Sequence, residues 1–269
     1  MAISEIILKG RKHRFCYDST PGAKKWYRLS YWTHASDVEF DNGMNLDEQM
    51  KGKADILTVN KTVYVSENGN DSGDGSKNNP WRTIQHAINS VPVINGNYEY
   101  KISIESGAYN GFVAKSISAT IELKGDVVIT DSNIYPIEID DSNIKITGEH
   151  TLSVNGGNGS ILYIHNSGKV NIFKTIIKLT GNGDGKGIYL ISDGGFSQTN
   201  ARISFDHLNT AVNVGTNSVF YSDEMYGSYI TNGIIAESGG HAAYDKNNIS
   251  AVNPIITNSG GRVFTGSQE

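Results

Sequence analysis

The stretch IEIDDSNIKITGEHTLSVNGGNGSILYIH, residues 137–165, decides the fold of this chain. Its apolar side chains alternate with polar ones in short runs, and Asp, Ser, Asn and Gly separate the runs. Alternation at every second residue is typical of a strand with one buried face, and Gly and Asn accept the left-handed backbone of sharp corners. The stretch therefore predicts short strands that are joined by tight corners.

The same pattern recurs along the chain in three interleaved series, each with a spacing near 25 residues. The first series contains Ile137/Ile139, Leu162/Ile164, Ile188/Leu190 and Val212/Val214. The second contains Ile121/Leu123, Ile144/Ile146, Val170/Ile172, Phe196 and Val219/Tyr221. The third contains Val127/Ile129, Leu152/Val154, Ile177/Leu179 and Ile203/Phe205. Three strands per period predict a three-sided coil whose inward residues stack on those of the next coil.

We therefore expect an all-β protein, a right-handed parallel β-helix. A β-sandwich also offers many short strands at regular intervals, but it gives no reason for three series to share one period. The pattern weakens after residue 220, where Ile234/Ala236 and Ile255 could continue it. Terminal coils are expected to be irregular because the last one must shield the open core.

Residues 62–92, TVYVSENGNDSGDGSKNNPWRTIQHAINSVP, read as a strand, a polar loop and an amphipathic helix. Asn79 is the expected N-cap, Pro80 the first helical residue and Pro92 the stop. The expected apolar face is Ile84, Ala87, Ile88 and Val91. Such a helix would cap the first coil, whose open end otherwise exposes apolar stacks and strand edges. This stretch resembles the entrance of pectate-lyase-like β-helix proteins, which include many phage tailspikes and surface-polysaccharide enzymes.

The first 60 residues contain an aromatic run followed by HASDVEFDNGMNLDEQM, residues 34–50. The second stretch resembles a short element of tail-fibre and baseplate-associated proteins from phages of Gram-positive hosts. Residue types predict a strand at Val38 and Phe40 and a capping box between Asn45 and Glu48. The aromatic run, Trp26, Tyr27, Tyr31 and Trp32, is expected to be the core of a mini-domain, a docking surface or both. The residues expected to dock or oligomerise are Trp26, Tyr27, Tyr31, Trp32, Val38, Phe40, Leu46 and Met50.

These observations divide the chain into three parts. Residues 1–60 form a small module for particle docking and oligomerisation, and residues 61–95 form the strand, loop and capping helix at the entrance. Residues 96–269 form the parallel β-helix with an irregular C-terminal cap. Leu46, Met50, Ala54 and Leu57 make a modest apolar stripe that could meet at a three-fold axis.

Composition narrows the function classes. The net charge is -5 and the 23 Lys+Arg residues form no basic stripe, so nucleic-acid binding is not expected. Cys16 is the one cysteine, and no Cys/His cluster has zinc-ligand spacing, so neither an internal disulfide nor a metal is expected.

The N-terminal apolar run is too short for a signal peptide or a membrane span. We expect synthesis in the bacterial cytoplasm without Sec secretion or membrane insertion.

Candidate catalytic residues lie on the outer face of the first series. Glu138 and Asp140 alternate with the inward Ile137 and Ile139, and His165 follows one coil later at nearly the same corner. A polysaccharide-cleaving enzyme is expected to raise two or three carboxylates, or a carboxylate with a basic group, from neighbouring coils onto one outer face. Outward positions of any solenoid are polar, however, so a surface without chemistry explains these residues as well.

Other candidates are weaker. Asp193 and Asn213 occupy roughly corresponding places in later coils. Gly-Asn-Gly-Asp-Gly at 181–185 occurs once, without the tandem repeat of calcium-binding β-helices, and is interpreted as a plain corner. Asp206 and His207 are adjacent on a strand and are therefore expected to face opposite sides. No phosphate loop, nucleophile elbow or His-Glu-x-x-His motif is present, and no cofactor is expected.

The resemblance implies a structural and receptor-binding component of a phage or phage-like tail: a fibre, spike or baseplate accessory. Its expected partners are two further copies in a homotrimer, other tail or baseplate proteins and host-surface polysaccharide. The alternatives are a polysaccharide lyase or glycoside hydrolase, and a connector that binds no glycan.

Overall fold

A computed structural model describes the backbone of residues 2–8 and 11–17 and, with side chains, residues 57–94, 96–156 and 159–266. The chain divides into two compact units, residues 1–55 and 56–269. In the first unit, β1 (Ala2–Leu8) pairs antiparallel with β2 (Arg11–Tyr17). The expected docking residues Trp26, Tyr27, Tyr31, Trp32, Val38, Phe40, Leu46 and Met50 lie outside the described residues.

The second unit is a parallel β-solenoid of about six turns with almost no helix. Within the described residues of this unit, the helix is α1 (Ile84–Asn89). Its strands are β3 (Lys61–Val65), β4 (Tyr100–Ile104), β5 (Gly107–Tyr109), β6 (Phe112–Lys115), β7 (Ser118–Leu123), β8 (Val127–Thr130), β9 (Ile137–Asp140), β10 (Asn143–Thr147), β11 (Thr151–Asn155), β12 (Ser160–His165), β13 (Lys169–Phe173), β14 (Ile176–Thr180), β15 (Lys186–Leu190), β16 (Gly195–Thr199), β17 (Arg202–Val214), β18 (Val219–Ala236), β19 (His241–Thr257) and β20 (Arg262–Thr265). The expected all-β parallel solenoid is confirmed.

The strands form three columns, and equivalent residues of successive coils pair in parallel. In the first column β6, β9, β12, β15, β17, β18 and β19 follow one another, with Ile137 opposite Leu162 and Leu162 opposite Ile188. The third column runs from β5 through β8, β11 and β14 to β17, with Leu152 opposite both Val127 and Ile177. The predicted inward residues of the first and third series are confirmed, and they are buried.

The second column differs from the predicted series at both ends. Ala119 and Ile121, rather than Ile121 and Leu123, lie opposite the inward pair of β10. At the far end Phe220 pairs with Phe196 and is fully buried, whereas Val219 is 53% exposed. The predicted inward pair Val219/Tyr221 is therefore wrong by one residue. The inward pair is Phe220 and Ser222, because the Phe220 ring stacks on that of Phe196.

After residue 200 the strands become longer and pass through positions that are corners in earlier coils. The strand β17 has 13 residues and supplies both the third and the first column. The parallel pairing continues through β18 and β19 to Thr265. Ile234 and Ala236 lie opposite Val212 and Val214, and Ile255 lies opposite Ile234, as the continued series predicts.

The helix α1 begins later than predicted. Thr83, not Asn79, is its N-cap, and the Thr83 hydroxyl accepts a hydrogen bond from the His86 N–H at 3.2 Å. Pro80 is not helical because the next residue, Trp81, is extended and forms a parallel bridge with Val65. The apolar face Ile84, Ala87 and Ile88 is buried as predicted, and the helix packs against β3, β4 and β6. Leu57, predicted in the oligomer stripe, is buried in the apolar core.

Candidate functional site

One outer face of the solenoid carries a continuous row of polar and aromatic side chains. Glu138, Tyr163, Tyr189 and Asn213 lie directly opposite one another on β9, β12, β15 and β17. They point outward because each follows an inward aliphatic residue of the first column. We call this row with its contacting neighbours the outer strip. It consists of Tyr135, Glu138, Asp140, Tyr163, His165, Lys186, Tyr189, Asn213 and Glu237.

The predicted trio Glu138, Asp140 and His165 is brought together at one end of the outer strip. The His165 Nε2 atom lies 3.0 Å from Glu138 Oε1, and Nδ1 lies 3.8 Å from Asp140 Oδ1. The three side chains are only 14–22% exposed, so they pack on one another rather than extend into solvent. Asn166 donates to Asp140 Oδ1 at 2.9 Å, and the Lys115 ammonium lies 3.8 Å from Asp140 Oδ2.

The ligand atoms of this trio all lie within 4.8 Å of one another. Two carboxylates and an imidazole at such a spacing can coordinate a divalent cation or can exchange protons with a bound substrate. Glu138 and Asp140 occupy alternate positions of β9, and His165 lies opposite Asp140 on β12. The parallel register therefore creates the juxtaposition.

The centre of the outer strip is aromatic. The Tyr163 ring stacks with those of Tyr135 and His165, both at centroid distances of 4.4 Å, and with Tyr189 at 5.4 Å. Burial raises the pKa of the Tyr163 hydroxyl, and the neighbouring Tyr135 and Tyr189 raise it further. The hydroxyl therefore stays protonated and can donate or accept hydrogen bonds.

A lysine closes the other end of the outer strip. The Lys186 ammonium lies 3.6 Å from the centroid of the Tyr189 ring and donates to Asn213 Oδ1 at 2.9 Å. The Asn213 amide in turn donates to Glu237 Oε1 at 3.1 Å. Burial lowers the pKa of Lys186, and the nearby Glu237 carboxylate opposes that change. The ammonium is thus a cation that the ring and the amide hold in place.

The sequence predicted only part of this arrangement. Asn213 lies in the same row as Glu138, as its spacing indicated, but Asp193 lies in a corner after β15 with a φ of 64°. Tyr135, Lys186 and Glu237 were missed because they lie outside the predicted apolar pairs. Tyr135 precedes β9, Lys186 is the first residue of β15, and Glu237 follows β18. Tyr163 and Tyr189 could have been found, since each occupies the outward position between two inward residues of the first series.

The Asp206–His207 prediction is wrong. The His207 backbone has a φ of 49°, which interrupts the alternation of the strand and turns the ring toward its neighbour. The His207 Nδ1 atom lies 2.9 Å from Asp206 Oδ2. Residues 181–185 form the corner between β14 and β15, and there Gly183 has a φ of 104°.

The fold and the outer strip define a parallel β-solenoid protein with a polar and aromatic strip along one side. No family model matches the sequence, and no solved structure matches it. The chain is similar to the uncharacterized protein YwoF of Bacillus subtilis strain 168, with 27% identity over 112 residues. The similar region covers 39% of this chain and 23% of YwoF, so the chain matches only about a quarter of that relative's length. No helix within residues 57–94, 96–156 and 159–266 is long and apolar enough to cross a membrane.

Proposed function

We propose that this protein is a receptor-binding component of a phage or phage-like tail, and that its outer strip contacts host-surface glycan. The single observation that carries the proposal is the outer strip itself. Its stacked tyrosines, carboxylates, amide and ammonium lie on successive rungs of the solenoid. A repeating polymer can contact equivalent positions of successive coils, and multiple weak contacts add to a useful affinity.

The chemistry of the outer strip suits a polar ligand with apolar patches. Tyrosine rings provide a rigid apolar surface with a polar end, and the side chain loses little conformational entropy on binding. Glu138 and Asp140 provide acceptors for sugar hydroxyl groups, and the tyrosine hydroxyls can both donate and accept. The net charge of -5 favours a neutral or weakly charged polymer over a nucleic acid.

The remaining elements of the proposal come from the resemblances. Residues 1–60 dock on other tail or baseplate proteins and hold three copies together, and α1 caps the entrance of a right-handed β-helix. The protein is made in the bacterial cytoplasm and assembled into the particle. The resemblance of residues 34–50 to tail-fibre and baseplate-associated elements supports this assignment.

The second candidate is a glycan depolymerase, which the contact between His165 and Glu138 favours. Retaining glycosidases carry two carboxyl groups about 5–5.5 Å apart. In the trio, a Glu138 carboxylate oxygen and an Asp140 carboxylate oxygen lie within 4.8 Å of each other. In this reading Glu138 and Asp140 share the acid and nucleophile roles, and His165 positions Glu138.

The test is binding of the full chain to purified cell-wall polysaccharides from a panel of Gram-positive bacteria. We expect at least one polysaccharide to bind, and Tyr163→Ala and Tyr189→Ala each to weaken binding by about tenfold, or 1.4 kcal/mol. Lys178→Ala is the matched control because Lys178 is an exposed outward residue of the third column. Binding that is unchanged by both tyrosine variants would contradict the proposal, and absence of binding to the whole panel would favour a connector.

The same samples separate binding from cleavage. A depolymerase releases new reducing ends or unsaturated products, and Glu138→Gln and Asp140→Asn would abolish that release while binding persists. Product release that is unchanged in both variants rules out this trio as the catalytic centre.

A further inference from the structure

A second aromatic pair projects from the solenoid at the corner where the third column leads into the first. The rings of His207 and Tyr229 stack with a centroid distance of 4.5 Å and an interplanar angle of 21°. Tyr229 is 76% exposed, and the His207 side chain is 54% exposed. Single exposed apolar side chains are common on protein surfaces, but two exposed rings that stack on each other form a contiguous patch of the kind found at binding sites.

The backbone holds both rings outward. His207 and Tyr229 have φ values of 49° and 55°, in the left-handed region that non-glycine residues rarely adopt. At Tyr229 the register between β18 and β19 also shifts, with Gly227 opposite Ile249 and Ile230 opposite Ala251. Two residues of β18 therefore lie opposite the single residue Ser250. An extra residue of this kind can redirect a side chain, and β-bulges are over-represented next to active sites.

The Asp206 carboxylate contacts His207 and the residue before Tyr229, and it thereby fixes the orientation of the ring pair. Its Oδ2 atom lies 2.9 Å from His207 Nδ1, and its Oδ1 accepts from the Ser228 hydroxyl at 2.9 Å. Although partial burial opposes ionisation, these hydrogen bonds lower the pKa of Asp206. One carboxylate thus anchors the imidazole and the residue that precedes Tyr229, so little freedom remains to be lost on binding.

A ladder of side-chain amides follows the two aromatic residues along the strands. The Asn232 Nδ2 donates to Asn209 Oδ1 at 3.2 Å, and the Asn253 Nδ2 donates to Asn232 Oδ1 at 3.0 Å. Asn209 follows His207 by two residues on β17, and Asn232 follows Tyr229 by three on β18. An exposed ring pair with amides two or three residues further along the same strands offers an apolar face together with hydrogen-bond donors and acceptors.

We propose that the Tyr229 ring, with the His207 ring stacked on one of its faces, forms a platform whose other face binds the apolar C–H face of a hexopyranose unit, with the asparagine ladder contacting its hydroxyl groups. The choice of a sugar rests on the proposed glycan-binding function, but the platform shares no residue with the outer strip. A neutral sugar is favoured because the platform carries Asp206 and uncharged amides rather than a lysine or arginine. The bulge and the two left-handed residues give the ring pair its geometry before any ligand arrives.

The test is saturation-transfer NMR on the full chain with methyl β-D-glucopyranoside, methyl β-D-galactopyranoside and N-acetylglucosamine. We expect transfer from the protein to the ring protons of at least one sugar, strongest on one face of the ring. Tyr229→Asn removes the ring yet keeps a residue that tolerates the left-handed backbone, and it should reduce the transfer by at least about fivefold. His207→Asn should reduce it in the same direction, and Tyr229→Phe should retain it.

The control is Tyr163→Ala, which changes the outer strip and leaves the platform intact. Transfer that persists unchanged in Tyr229→Asn, or that is missing for all three sugars, overturns the platform. Transfer that Tyr163→Ala removes and Tyr229→Asn does not would overturn the platform while supporting the outer strip. An unchanged circular dichroism melting curve of Tyr229→Asn shows that the variant is folded.

Discussion

The Phe196 and Phe220 rings lie one coil apart with centroids separated by 5.2 Å and planes only 9° from parallel. Both side chains are buried, at 2% and 0% exposure. This stack sets which residues of β18 face the core. The neighbouring Val219, a β-branched residue that is also common in strands, faces solvent instead.

Truncation of this stack gives the first prediction. Phe220→Ala should lower the free energy of unfolding by about 3–5 kcal/mol, because it leaves a cavity between two coils. Val219→Ala should lower it by less than about 0.5 kcal/mol because the side chain is largely exposed. Urea denaturation followed by circular dichroism measures both changes. Equal losses for the two variants would show that the register of β18 is different.

The second prediction concerns a polar pair inside the solenoid. The Ser222 hydroxyl donates to Gln198 Oε1, and both residues are fully buried. The Gln198 Nε2 has no hydrogen-bond partner among the described residues. Ser222→Ala should lower the free energy of unfolding by about 1–3 kcal/mol, because it leaves the buried carbonyl unpaired as well.

The double variant Gln198→Leu with Ser222→Ala is the control for that pair. It removes every polar atom of the pair, so it should be more stable than Ser222→Ala alone and comparable to the unmodified protein. Urea denaturation of all three chains gives the coupling between the two positions. A double variant that is less stable than Ser222→Ala would contradict the interpretation.

The third prediction concerns Asp71, which anchors the entrance loop to α1. Its carboxylate accepts from the Arg82 and Thr83 N–H groups at 2.8 and 3.0 Å and from the Thr83 hydroxyl at 2.7 Å. Partial burial opposes ionisation, but the Thr83 and Arg82 hydrogen bonds prevail and lower the pKa below its ordinary value of 3.8. The folded state therefore binds the proton less tightly than the unfolded state.

The sign of the pH dependence follows from that difference. The stabilisation by Asp71 is fully present above the unfolded pKa and is lost as the pH falls through the lower folded pKa. Asp71→Asn should cost about 1 kcal/mol near pH 7, since the group is partly exposed, and the cost should shrink below about pH 4. Urea denaturation at several pH values measures it, with Asp184→Asn at an exposed corner as the control. A cost that is independent of pH would contradict the assignment.

The fourth prediction concerns assembly. If residues 1–60 hold three copies together, light scattering of the full chain should give a mass of three times 29.2 kDa. A chain that lacks residues 1–60 should then give the mass of one copy. A full chain that is monomeric in solution would contradict trimerisation through this segment.

Much of the solenoid follows from local sequence. Alternating apolar residues at a common period of about 25 define the first and third columns, because strands with one buried face bury every second side chain. The outward positions of Glu138, Asp140 and Asn213 follow from the same alternation. The apolar face of α1 also follows from its spacing, although its first residue does not.

What alternation could not define is the register between coils. Gly, Asn and Ser corners vary in length, so the position at which the next strand begins depends on packing, as the Phe196–Phe220 stack decides for β18. Likewise, Pro80 reads as the start of a helix, but Trp81 pairs with Val65 and keeps this segment extended. Local helix signals are weak compared with backbone pairing and burial.

By itself, the sequence determined the all-β class, the three-sided period and the inward residues of two columns, because these depend on alternation within single strands. Only the tertiary structure decided which outward side chains meet. Tyr163 stacks on Tyr135 and Tyr189 across coils, and the bulge at Tyr229 brings its ring onto His207. Such contacts join residues more than 20 positions apart, and their distances depend on strand register and backbone φ values that residue types leave open.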